Sequence, residues 1–407
     1  MPILRLALAQ TNPRLGDFSR NVLQIVNTAV EAFGQGADLV AFGEMSLTGY
    51  PIEDLATRPD FLRETRTHLE DIATQIAASG AGSIPVIVGF PHGPLDDHHA
   101  TSGSPSAIAY NSAAVLQDGR IIGIYNKHHL PNYSVFDEYR NFVPGNELLT
   151  FEHLGHRVSI VICEDIWQDG GPVAQIKTNK TDLTLVLNGS PFESDKDDRR
   201  LALIRKLATS QDSHVSYVNL VGGQDDLVFD GDSLMVDSSG TLIGRAKQFE
   251  SDIAYFDIKG KNEIQLVDKP RITKNDDREQ IWNALVLGLR DYVNKNGFKS
   301  VVLGLSGGID SAVCASIAAD AIGADRVFGV SMPSRYSSEH SRSDADDSAE
   351  RIGLHFRTEP IESLVDAFES QLGLTGVAAE NLQARMRGVI LMGLSNAEGH
   401  LTLTTGN

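Results

Sequence analysis

The sequence predicts a layered α/β protein built from two domains. Short apolar strands alternate with segments of helical periodicity along its 407 residues, a pattern typical of sheets covered by helices. A chain of this length exceeds the usual size of one domain. After Ile258 the pattern gives way to a polar, charged stretch with a proline, KGKNEIQLVDKPRITKNDD, which is typical of a linker. We therefore expect one domain at 1–260, a linker at 261–274 and a second domain at 275–407.

Runs of apolar residues predict the strands of the first domain. The predicted strands are Leu4–Ala9, Leu39–Phe42, Val86–Phe90, Ala107–Leu116, Ile121–Tyr125, Val158–Ile162, Leu183–Leu187, Val215–Leu220 and Ser233–Asp237. The Asp118-Gly119 pair lies between two of them and is a strong signal for a tight hairpin. Helical patterns lie near 20–33, 60–79 and 195–212, so helices alternate with the strands.

The second domain begins with Ile281, Leu285 and Leu289 at helical spacing. The elements predicted after this helix are strand Ser300–Leu305, helix Ile309–Ile322, strand Val327–Met332, a helix near 338–352 and a strand at 401–405. Short βα units connect by right-handed crossovers, so we expect a parallel sheet. Three strands would make a small sheet, and the sequence stops directly after the third. We therefore expect this domain to be truncated.

The overall charge restricts the class of partner. The chain carries 35 basic and 54 acidic residues, a formal net charge of −19. This charge disfavours a nucleic acid or an anionic membrane as partner, but an anionic small molecule could still bind in a local pocket. The first residues, MPILRLALAQTNP, resemble a strand rather than a signal peptide, and no apolar run is long enough to span a membrane. With two distant cysteines, we expect a cytoplasmic protein.

The stretch LGLSGGIDSA at 303–312 carries the first candidate site. Gly307 and Gly308 allow a sharp turn and the close approach of a ligand, and free N–H groups at the start of the next helix favour an anion. The stretch matches neither G-x-x-x-x-G-K-[ST] nor G-x-G-x-x-G. A plain turn, with Asp310 as the helix cap, is the alternative interpretation.

SGGIDS resembles the pyrophosphate-binding loop of the ATP pyrophosphatase family, whose members form adenylated intermediates. MPSRYSSEHS (332–341), ENLQARMRGVILM (380–392) and LTLTTGN (401–407) extend the resemblance to the NAD synthetase domain of that family, which has a Rossmann-like parallel sheet. The resemblance assigns ATP binding to Gly304, Leu305, Ser306, Gly307, Gly308, Ile309, Asp310, Ser311 and Thr405, and Mg²⁺ binding to Asp310.

The same resemblance implies that Asn381 and Arg385 contact deamido-NAD⁺. Without it, Arg385 and Arg387 would be interpreted as charges on the surface of a helix. In the family, the final asparagine is followed by a lysine and a metal-binding glutamate, and neither is present here. The resemblance therefore also implies that the C-terminal part of the domain is missing.

Three reactive side chains follow predicted strands in the first domain. Glu44, in FGEMSLTGYP, is a carboxylate that is costly to desolvate, which suits a general base. Lys127 follows the second strand of the hairpin, where an ammonium can stabilise an oxyanion. Cys163 ends the strand in VSIVICEDIW; we expect a strand-to-helix elbow that exposes the thiol and a helix N-terminus that favours the thiolate. Singly, Glu44 also suits a helix-capping or solvated glutamate, and Cys163 an inert core cysteine.

Together and in this order, Glu44, Lys127 and Cys163 resemble the Glu–Lys–Cys arrangement of the nitrilase superfamily. Over 1–260 the resemblance is to the glutamine amidotransferase branch that is fused to NAD synthetase, and it implies an αββα sandwich. It further implies that Glu138 positions Lys127. The family's glutamine-binding positions match Tyr133, Ser190 and Lys196, although KDDRR around Lys196 also suits a solvated helix start.

The combined resemblance implies a ligase that completes NAD⁺ biosynthesis. Glutamine would be hydrolysed through a Cys163 thioester, and the ammonia would amidate adenylated deamido-NAD⁺, giving NAD⁺, AMP, pyrophosphate and glutamate. Its substrates would be glutamine, ATP and deamido-NAD⁺, with Mg²⁺ as cofactor, in a homo-oligomer. A free-standing amidase joined to an inactive fragment and a module that only binds nucleotide are alternatives. A guanylate or asparagine synthetase, whose members share the SGGxDS loop, is a further alternative, but MPSRYSS and ENLQARMRG do not match these enzymes.

Overall fold

The computed structural model describes residues 2–95, 107–260, 263–267 and 274–405. Contacts within the chain divide it into two compact units, Met1–Gln280 and Ile281–Asn407. Within the described ranges, no helix is both long enough and apolar enough to cross a membrane.

The first unit is built mainly from strands. In chain order they are β1 (Leu4–Gln10), β2 (Leu39–Phe42), β3 (Val86–His92), β4 (Tyr110–Gln117), β5 (Arg120–Asn126), β6 (Leu149–His153), β7 (His156–Ile162), β8 (Leu183–Asn188), β9 (His214–Asn219), β10 (Val221–Gln224), β11 (Leu227–Asp230), β12 (Leu234–Val236), β13 (Leu242–Arg245), β14 (Asp252–Gly260) and β15 (Glu263–Leu266). The helices are α1 (Phe18–Gly34), α2 (Pro59–Ile76), α3 (Glu138–Asn141) and α4 (Lys196–Gln211).

Two large sheets organise these strands. One has the order β15-β14-β1-β2-β3-β4-β5 and the other β13-β12-β9-β8-β7-β6, while β10 and β11 form a separate ribbon. Asp118 and Gly119, both at positive φ, make the tight hairpin predicted between β4 and β5. Residues 263–266, within the range predicted as a linker, instead form an edge strand paired with β14.

The alternation of side chains along β1 fixes the layers. Leu4, Leu6 and Leu8 pack into a core shared with β7 and β8 of the other sheet, whereas Ala7 and Ala9 face the core beneath α1 and α2. Helix α4 contributes to the core of the second sheet. The result is the αββα sandwich that the resemblance implied.

The second unit contains one parallel sheet and its helices. Its elements are α5 (Asp277–Lys295), β16 (Val301–Gly304), α6 (Ile309–Ile322), β17 (Val327–Ser331), α7 (Glu339–Ile352), β18 (His355–Thr358), α8 (Glu362–Leu372), α9 (Val377–Glu398) and β19 (Leu401–Leu403). The strand order is β18-β17-β16-β19 and every pair is parallel. The order reverses at β16, and such a switch point opens a crevice at the carboxyl ends of the strands.

The prediction of three strands in this unit was wrong, because β18 is a fourth. Its sequence, HFRT, is short and polar, and it lies at the edge of the sheet with no residue fully buried. An edge strand needs only one apolar face and one partner, so it carries little of the hydrophobic signal that revealed β16 and β17.

Candidate active site

The Lys127 ammonium in the first unit lies between two carboxylates. Its Nζ is 2.8 Å from Oε1 of Glu44 and 2.7 Å from Oε2 of Glu138, and the three side chains are at most 4% exposed. Glu44 follows β2, Lys127 follows β5 and Glu138 begins α3. The fold therefore brings together three residues from distant segments of the chain.

Both oxygens of Glu44 are held by further donors. Asn111 Nδ2 donates to Oε1 at 2.7 Å, and the backbone N–H of Gly189 donates to Oε2 at 2.8 Å. On Glu138, Oε1 accepts from the hydroxyl of Tyr50 at 2.8 Å. These contacts fix the orientation of both carboxylates before any substrate binds.

The cluster contains one cation and two carboxylates, and this imbalance of charge shifts the pKa values of its members. Burial, together with the neighbouring Glu44, raises the pKa of Glu138 to about 7, although Lys127 opposes the shift. Burial alone would lower the pKa of Lys127, but the charges of Glu138 and Glu44 raise it well above its usual value. Lys127 is therefore a permanent cation in the site.

Cys163 follows β7 at the start of a single 3₁₀ turn, Cys163–Ile166, with φ of 42°. Burial raises the pKa of its thiol well above the usual value, and the charge of Glu44 adds to the shift while Lys127 opposes it. The expected exposed thiol, activated by a helix N-terminus, was wrong: Cys163 is 5% exposed, and one short turn has almost no dipole. A thiol whose pKa is raised holds its proton more firmly, so its use as a nucleophile requires a base.

Of the three residues expected to bind glutamine, Tyr133 and Ser190 lie beside residues that adjoin this cluster. Tyr133 is 54% exposed and donates to Oε2 of Glu164, the neighbour of Cys163, at 2.9 Å. Ser190 is buried and lies directly after Gly189, the residue that binds Glu44. Lys196 is buried at the start of α4, where its amine pairs with Glu193, so the interpretation as a solvated helix start was wrong.

Two residues that the sequence analysis missed support the site. Asn111 lies within an apolar strand. An amide side chain in such a strand is the one sequence signal that could have identified it. Arg200 is 1% exposed, and its guanidinium donates to the backbone and hydroxyl oxygens of Ser190 and to both carboxylate oxygens of Asp230. Nothing in KDDRR distinguishes this arginine from its exposed neighbour.

The SGGIDS loop of the second unit follows β16, at the switch point of the sheet. Its turn is held from within: Ser306 Oγ accepts from the Gly308 N–H, and Ser311 Oγ donates to the Gly308 carbonyl at 2.9 Å. Gly307 has a φ of 80°, so glycine is favoured there. Asp310 is exposed in the first turn of α6.

A cavity of about 590 Å³ opens beside this loop, a size typical of small-molecule sites. Gly304, Leu305, Ser306 and Thr405 line it, together with Arg387. Asn381 and Arg385, also expected near the substrates, are exposed on α9 and lie outside the set of described residues that line the cavity. Within the described ranges, no cluster of three His, Cys, Asp or Glu side chains could hold a metal.

Two family models match the chain: carbon-nitrogen hydrolase over residues 5–265 and NAD synthase over residues 281–407. The glutamine-dependent NAD(+) synthetase of Acinetobacter baylyi is 41% identical over 415 residues, which cover 100% of this chain and 73% of that protein. The chain belongs to the glutamine-dependent NAD(+) synthetase family. The synthetase of Aquifex aeolicus is 40% identical and is covered to 75% of its length.

Solved structures agree with this family of synthetases. A glutamine-dependent NAD+ synthetase from Acinetobacter baumannii, in complex with adenosine diphosphate, matches 100% of this chain and 75% of its own with a TM-score of 0.91 at 40% identity. An amidase from Nesterenkonia sp. AN1 matches 63% of this chain and 90% of its own with a TM-score of 0.53 at 22% identity. That second match shows a common fold for the first unit.

Proposed function

We propose that this protein makes NAD⁺ from deamido-NAD⁺ and ATP, with glutamine as the source of nitrogen. The observation that carries the proposal is the buried cluster in the first unit, where Lys127 lies between Glu44 and Glu138. The charges of all three residues act on the pKa of the Cys163 thiol. Membership of the synthetase family supports the coupling of this cluster to the SGGIDS loop.

The first half-reaction is the hydrolysis of glutamine. Glu44 takes the thiol proton as Cys163 Sγ attacks the side-chain amide, and the Lys127 ammonium stabilises the oxyanion that forms. The tetrahedral intermediate collapses to a thioester when Glu44 returns the proton to the departing ammonia. Water, deprotonated by Glu44, then attacks the thioester, which releases glutamate and restores the thiol.

We assign glutamine binding to Tyr133, Ser190 and Lys196. Tyr133 binds Glu164, the neighbour of Cys163, and Ser190 follows Gly189, whose N–H binds Glu44. Lys196 contributes a buried amine, paired with Glu193, which suits recognition of the substrate carboxylate if that pair opens. Glu138 acts by holding Lys127 in place.

The second half-reaction uses the SGGIDS loop. A carboxylate is a poor electrophile, so ATP converts the nicotinate carboxylate of deamido-NAD⁺ into an acyl-adenylate and pyrophosphate leaves. Ammonia attacks the adenylate, giving NAD⁺ and AMP. We assign ATP binding to residues 304–311 and Thr405, and deamido-NAD⁺ binding to Asn381 and Arg385. This amidation would be the last step of NAD⁺ biosynthesis.

Asp310 is suited to Mg²⁺ by its chemistry. Its carboxylate is exposed on the loop beside the cavity, and Mg²⁺ is commonly held by one or two carboxylates together with phosphate oxygens and water. When bound, Mg²⁺ would neutralise the charge that develops on the pyrophosphate. We further propose a cytoplasmic homo-oligomer, with both cysteines free.

Comparing two nitrogen sources tests the proposal. The full chain with Cys163→Ala should lose NAD⁺ formation from glutamine but keep it from ammonium salts, whereas Cys314→Ala, which removes the other cysteine of the chain, should keep both. Glutamine hydrolysis that survives Cys163→Ala would contradict the thiol mechanism. If the unmodified chain makes no NAD⁺ from either source, the synthetase part of the proposal is wrong.

A further inference from the structure

Asp165 is a buried carboxylate that lies two residues after the reactive cysteine. It is 0% exposed, and each of its oxygens accepts two hydrogen bonds. Oδ1 accepts from the backbone N–H groups of His128 and His129 at 3.0 and 2.8 Å. Oδ2 accepts from the Tyr125 hydroxyl at 2.7 Å and from the Ile162 N–H at 2.9 Å.

The four donors belong to residues that lie next to Lys127 or Cys163, or within two positions of them, along the chain. Tyr125 precedes Lys127 by two residues, His128 and His129 follow it, and Ile162 immediately precedes Cys163. Strand β5, which leads to the lysine, belongs to one sheet, and β7, which leads to the cysteine, belongs to the other. One carboxylate therefore joins the ends of two strands from different sheets at the point where the sheets supply the lysine and the thiol.

This carboxylate is expensive to bury, because no salt bridge joins it to a cation in the described ranges of the chain. Burial raises the pKa of Asp165, and the hydrogen bonds from His129, Ile162 and Tyr125 oppose that shift. The hydrophobic contact between the two sheets could hold them together without any charge, but apolar packing is not directional. Hydrogen bonds to defined backbone atoms fix the relative position of the strand ends.

We propose that Asp165 is a positioning residue that sets the geometry between the Cys163 thiol and the Lys127 ammonium. The inference rests on the proposed role of Cys163 as nucleophile. It also accounts for the positive φ of Cys163, since hydrogen bonding of Asp165 to the Ile162 N–H, on the other side of the cysteine, stabilises the turn.

Asp165→Asn is the direct test. An amide keeps one acceptor oxygen but places an NH₂ group at the other position, where the Ile162 N–H also needs an acceptor. We expect the kcat of glutamine hydrolysis to fall about 100-fold, since misplacement by about 1 Å can have an effect of that size, while KM changes by less than about threefold. Tyr125→Phe removes one donor without this mismatch and should give an intermediate kcat.

Asp257→Asn is a matched control. Asp257 is a buried carboxylate on β14 that binds Arg5 through two hydrogen bonds, and β14 carries no residue of the site. It should lower the unfolding temperature without a change in kcat. In a Cys314→Ala background, where Cys163 is the one remaining thiol, iodoacetamide should alkylate the Asp165→Asn protein more slowly than the Asp257→Asn protein.

The results separate a positioning role from a purely structural one. If Asp165→Asn and Tyr125→Phe hydrolyse glutamine at the rate of the Asp257→Asn control, the inference is wrong. If Asp165→Asn does not fold, Tyr125→Phe alone decides, because a wild-type kcat and alkylation rate in that variant would also overturn it. Failure of the proposed function gives a different result, namely wild-type protein whose hydrolysis does not depend on Cys163.

Discussion

Gly89, in β3, is the position at which the smallest possible substitution should disturb Glu44, the proposed general base. A Cβ atom at this position would lie 2.5 Å from the Gly43 carbonyl oxygen, 2.9 Å from the Glu44 carbonyl carbon and closer still to the Met45 nitrogen, whereas ordinary contacts begin at 3.4 Å. All of these neighbours are backbone atoms, so no flexible side chain can move aside. We therefore expect Gly89→Ala to displace the backbone of Glu44 by about 1 Å, a shift that can lower a catalytic rate about 10²-fold.

The assay for Gly89→Ala is glutamate release from glutamine by the full chain, compared with NAD⁺ formation from ammonium. Glutamine hydrolysis should fall about 10²-fold, and the ammonium-driven reaction should stay unchanged. Gly34→Ala is the control, because Gly34 is exposed near the end of α1 and a Cβ atom there would meet nothing within 4 Å. Hydrolysis by Gly89→Ala within about threefold of wild type would refute the placement of Glu44 as the base.

Three further predictions concern charge and backbone conformation. Lys127→Met leaves two buried carboxylates without their cation, so hydrolysis should cease and denaturant titration should show a loss of about 3–5 kcal/mol in the free energy of unfolding. Burial raises the pKa of Asp232 to about 7; its protonation therefore stabilises the folded state fully below about pH 4, and this contribution is lost as the pH rises to about 7. Asp232→Asn should therefore flatten the fall of about 4 kcal/mol in the free energy of unfolding between these pH values. Unfolding is measured by tryptophan fluorescence in a Trp282→Phe background, and an unchanged fall would contradict the raised pKa. Gly307→Ala, at a φ of 80° and against the Ser341 carbonyl, should abolish NAD⁺ formation from both nitrogen sources but leave glutamine hydrolysis intact; synthesis at the wild-type rate would contradict a role for this turn in ATP binding.

The sequence predicted those parts of the protein whose signal is local. Strands such as β7 and β8 are rich in apolar residues because both of their faces are buried. The positions of Glu44, Lys127 and Cys163 after β2, β5 and β7 followed from apolar runs of this kind. Their mutual proximity came from the resemblance to a family, since no local pattern states which strand ends meet.

What the sequence could not predict depends on tertiary contacts. The prediction for the Cys163 thiol was wrong because a strand-to-helix elbow was expected to expose it. In the fold, surrounding segments cover the thiol. Arg200 and Arg199 are indistinguishable in KDDRR, yet one is 1% exposed and the other lies on the surface. Three of the four donors to Asp165 come from a segment 36 to 40 residues away in sequence, which periodicity cannot reveal.

The raised pKa of the buried Cys163 thiol also has a bearing on oxidative stress. Peroxides react with thiolates and hardly with thiols, so a cysteine that stays protonated until its substrate arrives is oxidised slowly to sulfenic acid. With Cys163 as the proposed nucleophile, the buried acid–amine cluster would combine reactivity toward a bound amide with resistance to diffusing oxidants. Such a protein should keep its glutamine-dependent activity at peroxide concentrations that inactivate enzymes whose cysteine is permanently ionised.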